Sequence, residues 1–407
     1  MTGPALPHFA PETAAFYLAD PDASFARLRR EDPVHWYEPG GFWCITRHAD
    51  VQEISRRPRL FQSGRGTQIF QIALANAGED LAGDLRDSNV VPNIIMMDPP
   101  AHNRHRKLVM GAFTPRAAAK LEGRVREIAR ACLSDAPRGE ALNFVDAVAV
   151  PVPMLVIAEL LGVPSSDQDD FRRWSDGMIR AGAGIFDDES RGCFAELFPY
   201  LAERVRERRA DPRDDIISVL VDSTIDGERL SDPEIVMFLV TLLVAGNETT
   251  RNLIAGGTKA LLDHPDELRR LVDRPALLPN AIEEMLRIVS PVRNFCRSAT
   301  RETELRGKSI AEGEFVVMFY GSANRDEEVF GEDAGAFRIE RASARQHVAF
   351  GFGEHLCLGA SLARLEARVM FEELLPLLPK TERHGPGEPL SSSLMNGWVD
   401  LPLSLPG

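Results

Sequence analysis

The sequence has few cysteines, and none of them lie close together. The five are widely spaced, odd in number and without a Cys-x-x-Cys pair. Such spacing excludes a disulfide framework and a four-cysteine zinc site, and it is typical of a reducing compartment. We therefore predict a cytoplasmic protein without structural disulfides. The cysteines are Cys44, Cys132, Cys193, Cys296 and Cys357.

Long uncharged apolar runs are also missing. The longest are too short to cross a bilayer or are interrupted by Pro151 and Pro153, and residues 1–7 lack the basic and apolar regions of a signal peptide. The formal net charge of −14 argues against the basic face that nucleic-acid binding requires. We expect a soluble protein with no membrane insertion and no nucleic-acid partner.

The length allows two lobes or one large domain, because 407 residues exceed the usual size of a single core. Residues 116–230 read as successive amphipathic helices, the first over Arg116–Ala131. Strand-like stretches lie near both ends of the chain, at roughly 30–60, 292–320 and 384–407. The pattern predicts a mainly α fold with a small β-rich portion.

A glycine-rich segment near the C-terminus carries the most specific pattern. Its glycines allow positive φ angles and close approach of the backbone to a flat ligand. Cys357 follows them at the start of a predicted helix, where backbone N–H groups favour a thiolate, and a thiolate can be an axial ligand of haem iron. The alternative is a buried free cysteine in a turn. The patterned positions are Phe350, Gly351, Gly353, His355, Cys357 and Gly359.

A long helix is predicted from Ser231, which begins a capping box with a glutamate three residues later. Its first part, Ile235–Val244, is apolar on all sides and is expected to be buried. An acidic residue next to such a segment, Glu248, is costly unless it has a partner or a task. Gly246 leaves space one turn before the Thr249 hydroxyl, suited to water or a diatomic ligand; the alternative is a helix kink.

Two weaker signals are pairs of basic or oppositely charged side chains that are three or four residues apart, the spacing that places them on one face of a helix. Asp98 is expected to cap a helix on which His102 and Arg106 share one face, and alone these would form a solvated basic surface. Glu284 and Arg287 are three apart and can form an intrahelical ion pair. Neither pattern identifies a function by itself.

Taken together, these segments resemble the motifs of the cytochrome P450 family, in the family's order and over nearly the whole chain. The matching stretches are 98–106, 245–250, 284–287, 322–326 and 350–359. Three positions depart from the usual motifs: His355 stands where Arg is more frequent, Ala101 where Glu is usual, and Glu327 where Pro is usual.

The resemblance implies a cytochrome P450 fold, with residues 1–407 as a single domain, and a monooxygenase that binds haem b and uses molecular oxygen as cosubstrate. Cys357 would be the axial ligand of the iron, and Glu248 and Thr249 would manage protons and water. Glu284, Arg287 and Arg341 would hold the fold around the cysteine loop. The implied cofactor-binding residues are Cys357, His102, Arg106, Arg297, His355, Phe350, Gly351, Gly359, Ala245 and Gly246.

The chain shows no reductase domain, so electrons are expected from a ferredoxin and its NAD(P)H-dependent ferredoxin reductase, with the enzyme a monomer. A local basic patch could steer an acidic partner despite the acidic whole. Its candidate residues are Arg104, Lys107, Arg345, Arg364 and Arg368.

The expected substrate is apolar, because the candidate pocket residues are apolar. Met154–Val163 and Ala281–Arg297 resemble actinobacterial steroid side-chain hydroxylases, which suggests a steroid or methyl-branched lipid; terpenoids and macrolides are the alternatives. Residues 58–97 read as a long functional loop, and a substrate-covering helix pair would include Ile185 and Phe186. The pocket candidates are Ile69, Phe70, Met96, Met178, Phe238, Leu242, Val292, Phe295 and Met395.

Two other haem functions remain as alternatives. A peroxide-using enzyme would not need an acid–alcohol pair, so Glu248 and Thr249 argue against it. A non-catalytic haem-binding gas sensor would be supported by an effector domain, and the sequence shows no sign of one.

Overall fold

The computed structural model describes residues 8–19, 21–77, 93–182, 187–225 and 227–407. Helices make up most of it and the strands are short, which confirms the predicted fold class. The helices are α1 (Ala14–Leu18), α2 (Asp22–Glu31), α3 (His48–Ser55), α4 (Ile69–Asn76), α5 (Ala101–Met110), α6 (Pro115–Lys120), α7 (Glu122–Asp135), α8 (Pro151–Leu160), α9 (Gln168–Gly182), α10 (Asp188–Ala210), α11 (Ile216–Asp222), α12 (Asp232–Asp263), α13 (Pro265–Asp273), α14 (Leu278–Val289), α15 (Tyr320–Ala323), α16 (Glu327–Phe330) and α17 (Ala360–Leu374).

The largest sheet has five strands in the order β1-β2-β10-β7-β3. Its first two strands form a hairpin, and β10 then lies parallel to β2, with Phe315 opposite Phe42. Segments far apart in the chain therefore form one sheet. The strands are β1 (Val34–Tyr37), β2 (Phe42–Ile45), β3 (Phe61–Gln62), β4 (Leu142–Asn143), β5 (Thr224–Ile225), β6 (Glu228–Arg229), β7 (Asn294–Ala299), β8 (Thr303–Leu305), β9 (Lys308–Ile310), β10 (Phe315–Phe319), β11 (Glu382–Arg383), β12 (Glu388–Pro389), β13 (Trp398–Asp400) and β14 (Pro402–Ser404).

Helix α12 is the predicted long helix, and it begins with the predicted capping box at Ser231. Its first half, up to Leu243, packs in a hydrophobic core with residues of α8, α9, α10 and α11. Its second half, from Leu253, belongs to another core, which α7, α14 and α17 share. The polar segment 245–250 therefore lies where the helix passes from one core to the other.

Glu284 on α14 is fully buried and binds two arginines. Its carboxylate accepts hydrogen bonds from Arg287 (2.7 Å) and from Arg341 (3.1 Å). Arg287 also donates to the carbonyl oxygens of Asn324 and Ala334. Every charge of this cluster has a partner, which offsets part of the cost of burying it.

Three sequence-based predictions of local structure are wrong. The helix predicted over Arg116–Ala131 is two helices, α6 and α7, that meet at Leu121. Residues 58–97, read as a loop, contain β3 and α4. The Asp98 carboxylate does not cap a helix but accepts the backbone N–H groups of Ser63 (2.7 Å) and Gly64 (2.8 Å), a tertiary contact that local patterns cannot reveal.

No helix among the described residues is apolar over a length that would cross a lipid bilayer.

Candidate active site

A cavity of about 630 Å³ lies at the junction of the two cores, within the size range of small-molecule sites. Segments from α5, α12, β7 and the loop before α17 contribute to its wall. All the residues that the sequence analysis singled out for catalysis and cofactor binding line it: Ala245, Gly246, Glu248, Thr249, His102, Arg106, Arg297, Phe350, Gly351, His355, Cys357 and Gly359.

The cysteine loop requires glycine at two points. Gly351 and Gly353 both have φ of +71°, a conformation that side chains disfavour. A Cβ atom on Gly353 would also lie 2.3 Å from the carbonyl oxygen of Ser55. The Cys357 N–H donates to the Phe350 carbonyl (2.9 Å), and the Cys357 side chain is exposed to the cavity. The loop thus presents the thiol at the cavity wall.

The protein alone does not favour a Cys357 thiolate. Desolvation raises the pKa of the thiol, and this outweighs the lowering by the Gly359 N–H and by the charges of Arg106 and Arg364. The expected stabilisation by a backbone N–H group is thus present at Gly359, but desolvation has the larger effect on the thiol. A metal ion that binds the sulfur would remove the proton instead.

On α12, the Thr249 hydroxyl donates its proton to the Ala245 carbonyl oxygen (2.8 Å). Its oxygen lone pairs remain available to accept a hydrogen bond from the cavity side. Gly246 has a packing role, because a Cβ atom there would lie 2.7 Å from Cδ1 of Ile157 on α8. Helical structure continues through Gly246.

Glu248 is buried beside the threonine. Burial raises the pKa of its carboxyl group, and the charge of Arg251, whose Nη2 lies 3.3 Å from Oε1, lowers it. The net shift is upward, so a larger fraction of the group carries a proton near neutral pH than in an exposed glutamate. A carboxyl group of this kind can donate a proton and take one back.

Four basic side chains converge on the cavity. The rings of His102 and His355 lie 4.1 Å apart between centroids with a tilt of 36°. Ser63 Oγ lies 3.2 Å from Nε2 of His355. Burial is the main cause that lowers the pKa of His355, to about 2, and the charge of Arg297 adds to it.

The two arginines of this set bind backbone oxygens. Arg106 donates to the Leu356 carbonyl (2.6 Å), and Arg297 donates to the Cys296 carbonyl (2.7 Å). Within the described ranges, no carboxylate forms an ion pair with any of the four basic side chains. The set therefore fits a ligand with two carboxylates, and together with the Cys357 sulfur it fits the propionates and the iron of haem.

Six of the predicted pocket residues line this cavity and three do not. Ile69 and Met178 are buried in hydrophobic cores, and Phe70 is 41% exposed. Gln68, the N-cap of helix α4, and Gln71 in its first turn line the cavity, whereas residues 69 and 70 lie on other faces of the helix. Ile185 and Phe186 lie outside the described residues. The six are Met96, Phe238, Leu242, Val292, Phe295 and Met395.

Sequence reasoning missed Glu366 and several polar residues of the wall. Glu366 on α17 is buried and lines the cavity, and burial raises its pKa well above the usual value. No described residue forms a hydrogen bond with its Oε2. The sequence does contain a signal for Glu366: it is an acidic residue on the apolar helix face that Leu362 and Leu365 define. The other polar residues missed include Thr67, Gln68, Gln71, Asp176, Arg251 and Ser391.

Comparison with known proteins gives consistent matches. Residues 184–378 match the family model described as "Cytochrome P450". The chain is 37% identical to linalool 8-monooxygenase of Pseudomonas putida, over 94% of each chain. It is 38% identical to a steroid C26-monooxygenase of Mycolicibacterium smegmatis, over 93% of this chain and 88% of that one.

Solved structures agree with these matches. The structure of CYP109E1 from Bacillus megaterium in complex with testosterone has a TM-score of 0.83 and 34% identity, and the match covers 95% of this chain and 99% of that one. Cytochrome P450 CYP109Q5 from Chondromyces apiculatus has a TM-score of 0.85 and 37% identity over 96% of each chain. Both similarities extend over nearly the whole fold.

Proposed function

Because this chain belongs to the cytochrome P450 family, we propose that it is a monooxygenase of steroids or methyl-branched lipids that receives its electrons from a ferredoxin. Membership of the family makes it a monooxygenase with haem as cofactor and molecular oxygen as cosubstrate. The observation that carries the assignment of residues is the common cavity, which brings Cys357, the four basic side chains and Thr249 together.

In this proposal the chain would hold haem through both the iron and the propionates. The Cys357 sulfur binds the iron, and His102, Arg106, Arg297 and His355 bind the two propionates. When bound, haem activates dioxygen and transfers one oxygen atom to the substrate, with thiolate ligation favouring cleavage of the O–O bond. The protein positions the reactants and controls access of water and protons.

Thr249 and Glu248 control protons next to the substrate. Since the Thr249 hydroxyl proton is engaged by the Ala245 carbonyl, the hydroxyl oxygen acts toward the cavity as an acceptor and can hold a water molecule. Glu248 can supply a proton to that water, because burial raises the pKa of its carboxyl group. The apolar lining around them limits further water, which protects reducing equivalents from side reactions.

Replacement of Cys357 tests the iron ligand. We expect the dithionite-reduced parent protein to show the red-shifted Soret band of a thiolate-ligated haem on addition of carbon monoxide, and Cys357→Ala to lose it. Cys193→Ala, which removes a buried thiol away from the cavity, is the control and should keep the band. If Cys357→Ala retains the red-shifted band, another residue is the ligand.

Replacement of Thr249 tests the proton route. Thr249→Ala removes the acceptor oxygen and places a better helix former in α12, so folding and haem content should be unchanged. We expect continued oxidation of the reductant, with the product formed per reductant falling severalfold and hydrogen peroxide rising. The measurement is the ratio of product and peroxide to reductant consumed.

Two further variants distinguish the role of the Thr249 hydroxyl from that of the Glu248 carboxyl group. Thr249→Ser keeps the hydroxyl and should recover most of the product ratio, whereas Glu248→Gln should slow turnover. Equal coupling in Thr249→Ala and the parent would make Thr249 a packing residue.

The basic surface that could bind a ferredoxin is smaller than the sequence predicted. Arg104 pairs with Glu228, Arg364 with Glu283 (2.7 Å), and Arg368 with Glu122 (2.6 Å). In the part of the chain that the structure describes, Lys107 and Arg345 are exposed and form no ion pair. Arg345 precedes the cysteine loop in sequence. Lys107 lies on α5, whose Arg106 donates a hydrogen bond to the Leu356 carbonyl in that loop. Of the five candidate residues, these two therefore offer an unpaired positive charge to an acidic partner.

Charge reversal at these residues tests the electron donor. We expect Lys107→Glu and Arg345→Glu to raise the KM for a ferredoxin severalfold at low salt, with less effect at high salt, because screening weakens exposed charge interactions. Arg301→Glu, an exposed charge beyond β7, is the matched control. Steady-state turnover at varied ferredoxin concentration gives the result, and a KM independent of both substitutions and of salt would contradict a ferredoxin docked at this surface.

The substrate proposal rests on the apolar wall and on the relatives. Similar proteins are named for linalool or steroid oxidation, and one similar structure contains testosterone. We expect testosterone to change the haem absorbance of the purified protein at micromolar concentration, since burial of an apolar skeleton drives binding. Linalool and erythromycin test the terpenoid and macrolide alternatives. Binding of erythromycin with no response to steroids or branched lipids would overturn the steroid assignment.

A further inference from the structure

The side-chain amide of Gln71 is held in one orientation in the wall of the active-site cavity. Its Oε1 accepts the backbone N–H of Thr67 (2.8 Å) and that of Gln68 (3.0 Å). Both partners are donors, so only the oxygen of the amide can face them. The –NH₂ group must therefore point away from the backbone of residues 67 and 68.

The backbone next to Gln71 is shaped for this contact. Gly66 has φ of +134°, which a side chain would disfavour. A Cβ atom on Gly66 would lie 3.0 Å from Cβ of Gln71 and 3.4 Å from its Oε1. Glycine at 66 lets the chain pass closely enough to place two N–H groups on one oxygen. The orientation of the amide thus depends on the fold and not on a flexible side chain alone.

The –NH₂ group has almost no protein acceptor. Among the described residues, Nε2 reaches only the sulfur of Met96, at 3.9 Å, and a thioether is a weak acceptor. Gln71 and Met96 both line the cavity. A fixed amide donor with unused capacity in a mainly apolar wall gains from any ligand oxygen that reaches it, because an unpaired polar group is costly when a ligand excludes water.

We propose that Gln71 is a substrate-recognition residue, which donates a hydrogen bond from Nε2 to an oxygen atom carried by an otherwise apolar substrate. The inference extends the proposed function and rests on it for the location of the substrate. A ketone, a hydroxyl or a carboxylate oxygen can accept this bond, whereas an unsubstituted hydrocarbon cannot. Burial of the skeleton supplies most of the affinity, and Gln71 discriminates among skeletons by their oxygen atoms.

The test uses a substitution that changes only the donor. Gln71→Glu has nearly the same shape and keeps an oxygen to accept the Thr67 and Gln68 N–H groups, which also favour its ionised form. It replaces the –NH₂ donor with an acceptor. Met96→Leu, which removes the weak sulfur contact and leaves the amide in place, is the matched control.

The probes are two series of ligands. The first consists of 5α-androstane and its derivatives with a ketone at C3 or a hydroxyl at C17; the second is linalool and the hydrocarbon of the same skeleton. Dissociation constants are measured on the haem-loaded protein at about pH 8, where a carboxylate is ionised. The readout is the change in haem absorbance. Equilibrium dialysis is used for ligands that do not change the absorbance.

We expect the parent protein to bind at least one oxygenated member more tightly than its hydrocarbon, by roughly 2- to 12-fold, the range of one net hydrogen bond. Gln71→Glu should abolish or reverse this preference for ketone and hydroxyl while binding the hydrocarbon within about twofold of the parent. Met96→Leu should keep the preference.

Three results would overturn the inference. One is a parent protein without preference in either series. Another is an equal loss of affinity for oxygenated and hydrocarbon ligands in Gln71→Glu, which indicates a structural role only. The third is an unchanged preference in that variant. Discrimination in the linalool series alone would keep Gln71 as a recognition residue and reject the steroid assignment, so the two failures are distinguishable.

Discussion

The buried carboxylate of Glu284 is the interaction on which the active-site loop depends. Through Arg287 it reaches the carbonyl oxygen of Asn324, and the Asn324 side chain accepts the backbone N–H of Val348 (2.7 Å). Val348 begins the segment that leads to Cys357. A rigid hydrogen-bonded path therefore connects α14 to the cysteine loop. Removing one member of such a buried cluster costs about 3–5 kcal/mol, a large part of a total stability of about 5–15 kcal/mol.

The preceding residue, Glu283, holds the same loop from another side. It binds Nε2 of His347 (3.0 Å) and the guanidinium of Arg364 (2.7 Å), which lies 4.6 Å above the ring of Phe350. Burial raises the pKa of the Glu283 carboxyl group, but these two partners bring it down to about 2. Two consecutive carboxylates on α14 thus hold the beginning of the cysteine loop and the helix after it. The charge pairs therefore add to the packing of Val348 and Phe350 in positioning the loop.

Much of this site could be predicted because its motifs are local. The capping box at Ser231 depends on neighbouring residues, and it forms as predicted. Helix α4 could not be placed, because a short segment does not define which of its faces is buried. The sequence therefore predicts Ile69 and Phe70 as pocket residues, whereas Gln71 lines the cavity. The role of Asp98 and the position of Glu366 depend on contacts between distant segments.

Ala245 and Gly246 are adjacent small residues of one motif, but each is small for a different structural reason. The sequence suggests a single gap beside Thr249, but the two small residues face different neighbours. Gly246 is small because Ile157 of α8 occupies the space where a Cβ atom would lie. Ala245 is exposed to the cavity, and its carbonyl accepts the Thr249 hydroxyl proton. A larger residue at 246 would displace α8, whereas a larger residue at 245 would occupy the cavity. Packing of the helical core therefore sets the position from which the threonine oxygen faces the substrate.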